Sequence, residues 1–150
     1  MNTILIDRLQ HLTTTARDAF EHSANALRKA VAFLGECAAS SATISEDVSG
    51  FGTEKVADMD MLSNLSFASD QLERAQGRAE VHAKFLRLIE AAITECSPES
   101  AALSIALDVA ERAHRAAIAL ADDAKPRARA RAEAWGWAVH NTNRALVAAL

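Results

Sequence analysis

Arg78, His82, His114 and Arg131 have the most chemistry to offer in this chain. Each falls on or beside the apolar stripe of a predicted helix. Folding the chain back at Ser97-Pro98 and again at residues 122–124 brings the four within ~6 Å of one another along the bundle axis, at 1.5 Å per residue. Cations on an apolar seam, with no seam carboxylate at that height, suit a small anion or metabolite, or an acid from a partner. The same residues have a structural use if the arginines reach out to the rim and the histidines are hydrogen-bonded in the core. They can also serve by fixing the register of the helices.

Other constellations are weaker. Glu111-x-x-His114 has the spacing of half a di-iron carboxylate site, but a second copy and two further facing glutamates are missing. Asp7/His11 and Asp18/His22 are i,i+4 pairs on the solvated stripe of the first helix, where salt bridging explains them better than metal binding. Cys37 and Cys96 fall near predicted helix C-termini, where the dipole raises a thiol's pKa and discourages a nucleophile. Two cysteines make no disulfide framework and read as reduced thiols. No Gly-rich phosphate loop, GxSxG or CxxC occurs. The residues thus predict no catalytic constellation, metal site or cofactor.

Trp137, His140, Arg144 and Val147 share the outward stripe of the last predicted helix. Trp and Arg are the residue types that dominate binding interfaces, so this stripe is a candidate contact face. The other reading has a neighbouring helix covering Trp137.

The elements that position these residues follow from composition and spacing. The chain has 150 residues, half of them apolar, with 5 Gly, 2 Pro, 5 Phe, 2 Trp and no Tyr. Abundant alanine with few helix breakers predicts an all-α protein with closely approaching helices. The predicted fold is an antiparallel bundle of about four helices, over about 3–37, 54–96, 98–121 and 124–149, in a single domain. The first helix has a 3-4 seam of Leu5, Leu9, Leu12, Ala16, Phe20, Ser23, Leu27, Val31 and Leu34. Gly35 is a candidate stop signal, and the Ser- and Gly-rich segment 39–53 reads as a flexible loop in which Phe51 could anchor. The seam of the second helix, Leu72, Ala75, Ala79, His82, Leu86, Ile89, Ile93 and Cys96, extends back through Ala68, Leu65 and Met61 without a phase break. It predicts one long helix, with 63–70 as the place for a kink. At Ser97-Pro98-Glu99, serine should cap, proline should take the first helical position and glutamate should complement the dipole.

Helix lengths then predict assembly. The third and fourth helices can cover only the second half of the second, leaving 20–37 and 56–70 as a two-helix projection. Met59, Met61, Leu62, Leu65 and Phe67 would be underburied there, and exposed apolar surface of that kind marks association. The expectation is a homodimer joined through the projections, possessing coiled-coil-like helix packing.

The net charge is −4, and the cluster Lys125, Arg127, Arg129, Arg131 diverges around its helix, so nucleic acid is not an expected partner. No apolar run nears the ~20 residues of a membrane span, and the start of the chain lacks the basic region of a signal peptide. The cytoplasm, in a bacterium given the Ala- and Arg-rich composition, is the expected setting. The function these readings favour is a non-enzymatic interaction or adaptor protein, homodimeric and working through helix faces. The alternatives are a sensor of small anions at the Arg/His layer and a metal-binding four-helix-bundle enzyme.

Overall fold

A computed structural model describes residues 3–47, 54–95 and 98–148, with side-chain surroundings given outside 41–47, 54–61 and Ser100. All the regular structure among the described residues is helical: α1 (Thr3–Asp47), α2 (Glu54–Glu95), α3 (Glu99–Leu120) and α4 (Pro126–Val147). The chain is an all-α helical bundle.

Lengths decide the shape. At 45 and 42 residues, α1 and α2 are roughly 65 Å long, whereas the 22 residues of α3 and of α4 make about 33 Å. The short pair lies against the half of α2 that leads to Glu95. One core there draws on all four helices: Leu9, Leu12 and Ala16 of α1, Phe85 and Ile89 of α2, Leu103 and Ala106 of α3, and Ala138 and Ala145 of α4. The alanines keep the axes close, so Phe85 and Leu103 fill the space between them and are fully buried.

Beyond that head, α1 and α2 continue alone as a hairpin. Its inner seam is thin. Ala68 and Ala75 are buried, while Leu27, Leu34, Leu65 and Leu72 are half-buried. Leu62 and Phe67 are exposed, as an underpacked projection requires.

Several boundaries differ from the sequence expectation. α1 runs on to Asp47, so residues 39–47 are helical and not loop. Gly35 does not stop it, because glycine lowers helix stability only by about 1 kcal/mol and terminates a helix where the backbone turns left-handed. Residues 38–47 also contain Ala38, Ala39 and Ala42 and no Pro or Gly. Cys37 therefore sits well inside a helix, and the C-terminal dipole argument does not apply to it. Cys96, Ser97, Phe51 and the rest of 48–53 lie outside the described residues. α2 is unbroken through 63–70. Pro98 occupies the N-cap of α3, so the helix starts one residue later than expected, and its carbonyl accepts from Ala101 N at 2.9 Å. Between α3 and α4, the Asp122 carboxylate accepts from Ala124 N at 3.0 Å, and Pro126 takes the first turn, where it has no bond to lose.

The α2–α4 contact explains a glycine. A methyl placed on Gly77 would stand 2.5 Å from the Arg127 carbonyl oxygen, a backbone atom that cannot swing away. One on Gly35 would meet nothing within 4 Å. In urea denaturation, Gly35→Ala should stabilise by up to about 1 kcal/mol through helix propensity. Gly77→Ala should destabilise despite the same propensity gain, by about 1–3 kcal/mol from overpacking.

Candidate functional site

α4 packs against α2 and α3 and approaches α1 only at the edge of its contact with α2, where Arg78 and His82 lie. The imidazole of His82, on α2, shares a hydrogen bond through Nδ1 with the Ser23 hydroxyl of α1. Its ring meets Trp137 of α4 edge to face, with centroids 5.0 Å apart. Trp137 in turn meets Phe85 at 5.9 Å. Ser23 is buried, so this bond satisfies a hydroxyl that would otherwise be stranded. Three helices are tied at one point.

Burial holds the His82 pKa below its ordinary value of 6.5. A hydrogen bond to the Ala19 carbonyl opposes that shift, and the charges of Arg78 and His22 add to it. A groove of about 470 Å³ opens beside the ring, lined by Asp18 and His22 of α1, Arg78 of α2 and Glu133 and Trp137 of α4, among others.

The four layer residues face three ways. Arg78 and His82 share this groove, and Arg78 reaches Glu133 across it at 3.8 Å. Arg131 turns to the other side of the α2–α4 contact. There its Nε donates to Glu80 at 2.8 Å, and its Nη2 and that of Arg127 also bond the same carboxylate. His114 of α3 lies against Gly136, whose missing side chain leaves it room: a methyl there would be 3.1 Å from Nε2. The sequence expectation concerns the seam alone, and the carboxylate that meets Arg127 and Arg131 at this height, Glu80, stands off it. It escapes a seam reading because it lies between Arg78 and His82, off the α1-facing stripe. The available signal was Arg127 and Arg131 at i,i+4, two cations on one stripe that a single acid can bridge.

On the outward stripe of α4, Trp137 is half-buried against the core, whereas His140, Arg144 and Val147 are exposed. Leu65 is half-buried in the hairpin, and the Met61 side chain lies outside the described residues. Among the described residues, no group of three or more His, Cys, Asp or Glu side chains is placed to hold a metal ion. Glu111 and His114 belong to no such group among the described residues. Among the described residues, no helix is long and apolar enough to cross a membrane. Comparison of the chain with protein families, curated proteins and solved structures gives no match.

The junction predicts a pH dependence. With a folded pKa below 6.5, the native state binds fewer protons than the unfolded state as pH falls past 6.5, so stability rises with pH across the interval between the two values. The His82 contribution is fully present above 6.5 and is lost as pH falls through the folded value. Urea midpoints from pH 7.5 to 5 should decline less steeply in His82→Gln than in the wild type. Trp137→Ala should cost about 2–4 kcal/mol, since it removes a partly buried indole that both Phe85 and His82 pack against.

Proposed function

We propose that this chain is a non-enzymatic interaction protein that self-associates through its projecting hairpin and presents helix faces to a partner. The observation that carries this reading is the pair Phe33 and Phe67. Their rings meet edge to face at 6.5 Å on the outside of the two-helix projection, and Phe67 remains 57% exposed. Val31 and Leu62 are 54% and 64% exposed on the same projection. Isolated apolar residues on a surface are ordinary, but an aromatic pair on a hairpin with so thin a seam marks a place where burial is incomplete. Association at the hairpin leaves His140, Arg144 and Val147 free on α4 for a protein partner. The Arg/His layer supports the adaptor reading too, because Arg78, Arg127 and Arg131 already have carboxylate partners in the chain.

The second reading, a sensor of small anions, draws on Arg78, His22 and His82 meeting at one groove. The acids Asp18 and Glu133 on the same walls weigh against it. A thermal-shift series with inorganic phosphate and sulfate separates the two. Stabilisation of the wild type and not of His82→Ala would favour the sensor.

For the interaction reading, light scattering at micromolar concentration should give twice the 16.1 kDa chain mass. The double variant Phe33→Glu/Phe67→Glu should run as a monomer with unchanged helical circular dichroism. A monomeric wild type would sink the homodimer.

A further inference from the structure

The geometry points to an antiparallel dimer in which each hairpin fills the space left beside the other by the shortness of α3 and α4. This rests on the self-association reading above and adds the partner's direction and register. The occupant is a second copy of this chain.

The phenylalanines lie on the flank that α4 covers lower down. On α2 the stripe runs Phe67, Gln71, Arg74, Arg78, Val81, Phe85 in steps of four and three. At its far end Arg78 pairs with Glu133 and Phe85 meets Trp137, both of α4. On α1 the matching stripe is Phe33, Lys29, Ala26, His22, Ala19, Thr15, and its last three residues line the groove beside Trp137. The layer formed by α4 and α3 stops where Arg127 meets Gly77. Beyond it α3 and α4 no longer cover the same flank, and Phe33 and Phe67 are exposed on it.

That geometry excludes side-by-side pairing of the phenylalanine flanks with both heads at one end, because the two α3–α4 layers would occupy the same space. Reversing the second copy removes the clash. From Gly77 to Glu54 the flank of α2 beyond the α3–α4 layer is ~35 Å long, at 1.5 Å per residue. The segment that would fill it is the same segment of the partner, so length matches length by construction. A flank two helices wide and ~35 Å long covers about 700 Å² per copy, near the ~800 Å² of a standard stable interface.

Charge points the same way. Residues 46–60 carry Glu46, Asp47, Glu54, Asp58 and Asp60 against Lys55. The uncovered stretches nearer the head, 25–33 and 67–76, carry Arg28, Lys29 and Arg74 against Asp70 and Glu73. Reversal lays the acidic tip of each copy along the basic stretch of the other, whereas a parallel arrangement sets acid on acid. The tip would also reach the end of the α3–α4 layer, where Leu120 is 72% and Ile118 53% exposed.

Small-angle X-ray scattering combined with light scattering tests this on the full chain. The reversed dimer should have a maximum dimension of about 100 Å, two heads and one shared hairpin length, against about 70 Å for any parallel pair. Leu120→Glu, at an exposed helix end, should weaken the dimer by about tenfold or more in sedimentation equilibrium if the partner's tip reaches it. A dimer of about 70 Å, or a dimer indifferent to Leu120→Glu, overturns the reversed register while leaving self-association standing. A monomer overturns self-association itself.

Discussion

The touching of two backbones at Gly77 and Arg127 sets the form of the molecule. Because Gly77 has no side chain, α4 can come down onto α2 at its own first turn. Glu80, one turn further along α2, then meets both Arg127 and Arg131. His82 and Phe85 continue the contact to Trp137. The zipper fixes both the rotation of α4 and the height at which the short helices end. The core of Phe85, Ile89, Leu103 and Ala138 forms below that height, and the thin α1–α2 hairpin is left above it.

α2 is therefore asked to satisfy two neighbours. One stripe, with Ala68, Ala75, His82 and Ile89, meets α1; another, with Gly77, Val81 and Phe85, meets α4. Small residues make this possible, since Ala and Gly let two partners approach without crowding. Two of the buried polar groups are compensated locally, whereas the Nε of Arg127 is buried at the α2–α4 contact without a hydrogen-bond partner. Ser23 and His82 satisfy one another across α1 and α2, and the Thr142 hydroxyl returns its hydrogen bond to the Ala138 carbonyl at 2.8 Å within α4.

Much of this was legible in the residues. Pro98 and Pro126 mark the starts of the short helices, and the regular seam of α2 runs without a phase break through 63–70. The difference in helix length gives the projection and its exposed Leu62 and Phe67. Three features were not legible. The continuation of α1 through 39–47 depends on modest preferences that serine clusters obscured. The second stripe of α2 is made of Gly77, Val81 and Phe85, which a single-seam reading places off the core. The Glu80 bridge needs the rotation of α4 about its axis, which two or three degrees of freedom in packing decide and no local pattern records. Arg78 and His82 line one groove, but a similar height along the axis, the basis for grouping them with His114 and Arg131, says nothing about which way a side chain faces. Hence Arg131 and His114 end on other walls.

The edge-to-face pair of Phe33 and Phe67 has a consequence for how this chain can change in length. Adding one residue to either long helix between the head and the pair rotates everything beyond it by about 100°, turning one ring away from the other. Deleting one does the same in the opposite sense. Insertions or deletions that keep the rings together must come in steps of about seven residues and must be matched in both arms. The hairpin is thus nearly locked in its length.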